Sequence, residues 1–151
     1  MKIAITGHTQ GLGQCFYQVL ESHGHEVHGF SLSTGFDLRN YSHVSCMLEQ
    51  IQDFDVFINN AKPDFSQTQI LYRLVRTWSQ GLIINIGSGI LDEDPEWTDT
   101  HLLEYYTQKI SLAHAVKVLS PVTACKLILL NPEHTDQPRD YVERELSQLG
   151  L

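Results

Sequence analysis

The chain is poor in positive charge: 10 Lys and Arg stand against 18 Asp and Glu, a formal net charge of −8 over 151 residues. Such a surface repels polyanions, which excludes nucleic acid and anionic membrane as general partners. Any anionic ligand must therefore be held by backbone N–H groups and a few local side chains. Long apolar runs are missing as well. None approaches the roughly 20 residues of a membrane span, and Met1 leads directly into an apolar segment rather than a signal peptide, so a soluble, cytoplasmic protein is expected. Cysteine is scarce. Cys15, Cys46 and Cys125 are odd in number, far apart and without a CxxC pair, which argues against a disulfide framework or a thiolate metal site. They read as reduced, buried thiols. The one histidine cluster, His23, His25 and His28, need not converge in space, and no metal is expected.

What the chain does have is apolar content, 42% of residues, enough for one domain with its own core. Short apolar runs alternate with longer amphipathic segments from end to end, the pattern of a doubly wound parallel sheet covered by helices on both faces, a three-layer α/β/α domain. Strands are predicted over 2–6, 26–31, 55–60, 82–86 and 126–131, and helices over 11–23, 41–52, 66–79, 98–119 and 139–149. Gly24 and Gly81 fall where helix stops belong. Too few residues separate Ser31 from Asp37 for a helical crossover, so 35–38 can supply at most a short extra strand.

Two clusters carry chemistry. The first is the strand running into Gly7-His8-Thr9-Gln10-Gly11-Leu12-Gly13. Its glycines suit a tight turn, close approach of backbone to a pyrophosphate, and close packing of the following helix on the strand. That helix would aim its free N–H groups at phosphate. The second is Glu104-Tyr105-Tyr106-Thr107-Gln108-Lys109, preceded by a strand ending in Gly87-Ser88. Residues four apart share a helix face, so the Lys109 ammonium can sit close to the Tyr105 phenol and favour its ionised form. Ser88, at a strand's C-terminal end, lies on the edge where open α/β sheets place ligands.

In their order along the chain these pieces resemble the short-chain dehydrogenase/reductase family, over most of the chain. Thr6-Gly7 through Gly11-Leu12-Gly13 is similar to its cofactor turn and Asp37-Leu38 to its adenine-contact pair. Asn59-Asn60-Ala61 matches its Asn-Asn-Ala motif, Ser88 its catalytic serine, Tyr105 with Lys109 its Tyr-xxx-Lys motif, and Asn131-Pro132 with Thr135 the segment beside the nicotinamide. The resemblance implies a Rossmann-like fold and hydride transfer between NAD(P) and a small carbonyl or alcohol. Tyr105 would act as acid and base, Ser88 would orient the oxygen, and Lys109 would support Tyr105 and bind the nicotinamide ribose. It further implies cofactor contacts from Gly7, Thr9, Gln10, Gly11, Leu12, Gly13, Ser31, Asp37, Leu38, Asn60, Ala61, Lys62, Tyr105, Lys109, Pro132 and Thr135.

The chain also departs from the family. It is unusually short, with a reduced or absent substrate lobe. The family's catalytic asparagine has no evident counterpart, Gln67, Gln69 and Asn60 all being open candidates. Lys62 and Glu133 stand where glycines are usual, and the acidic segment 89–101, with Asp92, Glu93, Asp94, Glu96 and Trp97, is a candidate substrate-side loop. His8 and His134 are open candidates for ligand contact. Ser31 occupies the place of the carboxylate that repels a 2′-phosphate in NAD users, while Gln10 adds no positive charge, which favours NADP(H) over NAD(H) modestly. Two other functions fit the same motifs: a nucleotide-binding regulatory or sensor module with little catalysis, and an epimerase or dehydratase that recycles bound NAD(P). Apolar residues on 66–79 (Ile70, Leu71, Leu74, Val75) and 98–119 (Leu102, Leu103, Tyr106, Ile110, Ala113) point to a homodimer or homotetramer, or simply cover their own sheet.

Overall fold

The computed structural model describes residues 1–78, 80–92, 99–133 and 137–151. Five strands, β1 (Lys2–Thr6), β2 (Glu26–Phe30), β3 (Val56–Asn59), β4 (Leu82–Ile86) and β5 (Lys126–Leu130), form one parallel sheet in the order β2-β1-β3-β4-β5. The helices are α1 (Gly11–Ser22), α2 (Tyr41–Gln50), α3 (Ser66–Thr77), α4 (Thr100–Leu119) and α5 (Pro138–Leu149).

Strand residues alternate between the two faces, so each strand feeds two cores. Ile3, Ile5, Val56, Ile58, Ile84 and Ile86 meet Phe16, Val19 and Leu20 of α1 and Val142 and Leu146 of α5. Their neighbours Ala4, Phe57 and Ile83 turn the other way, against Met47 and Leu48 of α2, Ile70, Leu71 and Leu74 of α3, and Leu112 and Ala115 of α4. This is the three-layer, doubly wound arrangement expected of near-continuous apolar strands.

Helix ends follow local chemistry. The Asn40 side chain accepts from Ser42 N at 2.9 Å to start α2, the Asp99 carboxylate accepts from His101 N at 2.8 Å to start α4, and Pro138 opens α5. These caps set the starts of α2 and α4 within two residues of the predicted bounds. Gly24, at φ +83°, does follow the end of α1. Gly81 does not cap α3, which ends at Thr77; it turns the chain into β4, where a Cβ would meet Asp55 O and the Trp78 ring at 3.0 Å. The extra strand allowed over 35–38 is not formed. Leu32–Thr34 make a 3-10 turn instead, closed by reciprocal bonds between Ser31 and Thr34, and the chain goes directly to α2.

The cysteines also differ from expectation. Only Cys125 is buried; Cys46 faces out from α2 and Cys15 is half-buried on α1. Cys15 and Cys46 take their exposure from the helix faces they sit on, while Cys125, just before β5, is covered by the Trp78 region, its thiol donating to Trp78 O at 3.3 Å. Among the described residues no helix is long and apolar enough to cross a membrane, and no three His, Cys, Asp or Glu side chains gather as a metal site.

Candidate active site

The C-terminal ends of all five strands open into one cleft of about 1410 Å³. At its β1 end the glycine turn is built almost wholly from backbone contacts. A Cβ on Gly13 would lie 2.1 Å from Gly7 O and 2.4 Å from Asn60 Nδ2, so α1 packs on the turn only because residue 13 is glycine. Gly7 takes φ +69° against Ala61, whereas nothing lies within 4 Å of a Cβ built on Gly11. Space therefore remains over the start of α1, and its N-cap, Gln10, contributes no side-chain cap.

The turn is braced from β3. The buried Thr6 hydroxyl accepts from Asn60 N and Ala61 N, both at 3.0 Å, and Asn60 Nδ2 donates to Thr6 O at 2.9 Å and Gly7 O at 3.1 Å. Asn60 is thus committed to shaping the turn. At the β2 end Ser31 Oγ lies 2.9 Å from Ser33 Oγ, which in turn donates to Thr9 Oγ1 at 3.3 Å, so hydroxyls span the rim from turn to strand. His8 contributes nothing to the cleft wall: its ring packs over Gly29 and tilts against Tyr17 at 5.1 Å.

At the β4 end, Ser88 is placed by its neighbours. Its backbone N–H donates to Asn131 Oδ1 at 3.3 Å, and a Cβ on Gly87 would collide with that same oxygen at 2.1 Å. The Ser88 hydroxyl accepts from Ile90 N at 3.3 Å. Tyr105 and Lys109 come to this end from α4. Lys109 is only 2% exposed. Its Nζ sits 5.6 Å from the centre of the Tyr105 ring and donates to Gln67 Oε1 at 2.8 Å and Ile86 O at 2.7 Å. Burial, aided by the nearby positive charge of Lys62, lowers the Lys109 ammonium from 10.5 to about 7. The Lys62 ammonium itself lies 4.1 Å over the Tyr105 ring.

The cleft brings together Gly7, Thr9, Gln10, Gly11, Leu12, Gly13, Ser31, Asp37, Leu38, Asn60, Ala61, Lys62, Ser88, Tyr105, Lys109 and Pro132 along its wall. Thr135 and His134 lie outside the described residues, as do Glu93, Asp94, Glu96 and Trp97; Gly89–Asp92 forms a 3-10 turn. Of the three candidates for the asparagine's place, Gln67 meets Lys109, Asn60 is bound to the glycine turn, and Gln69 is exposed. Arg39 escaped the sequence reading. It borders the cleft beside Asp37 and donates to both of its carboxylate oxygens, holding that carboxyl below the usual range. Its position next to Asp37-Leu38 was the available signal. Glu133 also reaches the wall.

No protein-family model and no curated protein matches the chain in sequence. Solved structures match its fold. A bulky-bulky ketone specific alcohol dehydrogenase from Comamonas testosteroni superposes with TM-score 0.80 at 15% identity, over 99% of this chain and 82% of that one. A 3-alpha-hydroxysteroid dehydrogenase from Pseudomonas sp. B-0831, complexed with NADH, gives 0.73 at 17% over 95% and 86%. An alcohol dehydrogenase from Thermococcus sibiricus, complexed with 5-hydroxy-NADP, gives 0.72 at 13% over 100% and 91%. The fold is the one these dehydrogenases share.

Proposed function

We propose that this chain is a single-domain, nicotinamide-dinucleotide-dependent oxidoreductase of the short-chain dehydrogenase/reductase type, interconverting a small carbonyl compound and its alcohol. One observation carries the reading: the glycine turn and the trio Ser88, Tyr105 and Lys109, far apart in sequence, border the same cleft. The residues fit a dinucleotide. There is room over Gly11, no side chain caps the start of α1, and uncharged hydroxyls line the β2 rim. When bound, the nicotinamide would supply or accept a hydride at the substrate carbon.

Ser88 would hydrogen-bond the substrate oxygen from a backbone held by Asn131. Tyr105 would donate a proton to that oxygen in reduction and take it back in oxidation. Lys109, charged, would stabilise negative charge developing on the Tyr105 oxygen. Because Lys109 keeps its proton only below about 7, reduction is expected to slow as pH rises through neutrality. At the other end, Ser31, Ser33 and Thr9 with the Arg39 guanidinium favour NADP(H) over NAD(H), since among the described residues the one carboxylate there, Asp37, is already paired to Arg39. A homo-oligomer is supported by α4, whose Leu102, Leu103 and Ile110 are exposed, while Ile70, Leu71 and Leu74 of α3 cover their own sheet.

Consumption of NADPH with a panel of small aldehydes and ketones tests the proposal. Tyr105→Phe is expected to reduce turnover by about a thousandfold with the dissociation constant for NADPH unchanged. Tight NADPH binding without turnover by the native chain would select the regulatory module, and a fully active Tyr105→Phe variant would remove Tyr105 from the chemistry.

A further inference from the structure

The face of the sheet covered by α2, α3 and α4 is apolar until its C-terminal edge, where a buried polar layer replaces it. Asn59 on β3, Asn85 on β4, Gln67 on α3 and Lys109 on α4 are all buried there. Asn59 Nδ2 donates to Gln67 O at 2.8 Å and to Asn85 Oδ1 at 3.0 Å, and Asn85 Nδ2 donates to Ile128 O at 3.3 Å. Five elements, β3, β4, β5, α3 and α4, are thus tied together by side chains that carry no net charge apart from the lysine.

Within this layer the orientation of the Gln67 amide is determined. Its Nε2 donates to Asn59 O at 2.7 Å and to Ile86 O at 3.0 Å, two backbone carbonyls that can only accept. The Oε1 atom is therefore turned to Lys109, and the same Ile86 carbonyl that receives Gln67 also receives the lysine. A buried ammonium needs acceptors to remain in place. Among the described residues Lys109 has these two only, and the side chain that supplies one of them is itself anchored to the strands on either side of it.

We propose that Gln67 is the positioning residue for Lys109: its carbonyl, locked by two backbone bonds of its own amide, holds the lysine amine beside Tyr105 and sets how firmly that amine keeps its proton. The groups facing the amine are few. The loop after β3 presents the positive Lys62, α4 presents Tyr105, β4 presents the neutral Ile86 carbonyl, and α3 presents the neutral Gln67 amide. No carboxylate faces it among the described residues. Exchanging one neutral oxygen for a charged one at the same place is therefore the largest change a single side chain can make there. Lys109's part in turnover rests on the proposed function, but its position and titration do not.

The test uses the intact chain with 13C,15N-labelled lysine, the Lys109 signal being identified by its loss in Lys109→Met. Gln67→Glu keeps the shape and is expected to raise the pH midpoint of the Lys109 signal by at least about one unit, and to carry the alkaline fall of kcat/KM for carbonyl reduction upward by the same amount. Gln67→Leu should lower the midpoint and reduce kcat about ten- to a hundredfold, with KM and NADPH affinity nearly unchanged. A midpoint that stays in place in Gln67→Glu would overturn the proposal, whether or not Gln67→Leu folds. A native chain with no carbonyl reductase activity would overturn the proposed function, and the Lys109 midpoints alone would then decide the role of Gln67.

Discussion

At its β1 end the cleft is shaped by backbone, and at its β4 end by side chains. The glycine turn comes from one unbroken segment, braced by Thr6 and Asn60 through bonds in which backbone groups take part every time. The Lys109 site gathers single side chains from α3 and α4 around a strand carbonyl. Where backbone meets backbone, as at Gly13, a backbone-built site tolerates no added atom, because the chain cannot move without breaking its own turn. A side-chain site tolerates substitutions of shape but is sensitive to charge, because its members are buried and only just compensated. That contrast predicts how each end fails.

Gly13→Ala should have the largest effect on the fold. Its methyl would lie 2.1 Å from Gly7 O, so α1 must move off the turn, at a cost of about 3 kcal/mol or more in denaturant unfolding and with loss of dinucleotide binding. A stable Gly13→Ala protein that binds NADPH normally would break the comparison at its first term.

Lys109→Met should alter the pH dependence of stability. Lys109 sits near 10.5 when unfolded and near 7 when folded, so between those values the unfolded chain binds the extra proton. Stability from this group is then fully present above about 10.5 and is lost as pH falls through about 7. The native chain is expected to gain on the order of 2 kcal/mol between about pH 7 and pH 9.5 relative to Lys109→Met, by urea unfolding at both pH values. Parallel curves for the two proteins would mean that the amine is hydrated at neutral pH.

The smallest expected effect lies on the rim. Arg39→Ala should weaken NADPH about tenfold and leave NADH nearly unchanged, measured by cofactor fluorescence. Arg39 is exposed and already paired to Asp37, so its contribution is one of preference between cofactors and not of folding. An equal loss for both would place Arg39 outside the 2′-phosphate contact.

The degree to which each end could be read from the sequence follows the same division. Gly7, Gly11 and Gly13 stand within seven residues, and a turn made of contiguous backbone leaves its signature in contiguous sequence. Ser88 and the pair Tyr105 and Lys109 were legible through strand ends and helical spacing. Which of Gln67, Gln69 and Asn60 would meet Lys109 was not, for all three are amides and only their places in the fold separate them. Asn60 is drawn to the turn by the carbonyls of Thr6 and Gly7, Gln69 is exposed, and Gln67 points inward at the level of Ile86. The exposure of Cys46 has a similar cause, since the outward face of α2, not residue type, leaves it uncovered.

The sequence by itself determined the parallel sheet, the bounds of its strands to within a residue and the turn between β1 and α1, because hydrophobic period and glycine placement are local properties of the chain. Only the tertiary structure decided that Lys109 is buried on Gln67, that Arg39 reaches the cleft, and that no strand forms over 35–38. Those outcomes depend on which carbonyls and carboxylates arrive from other elements, and a buried amine or an exposed guanidinium takes its partner from whatever the packed fold brings within reach.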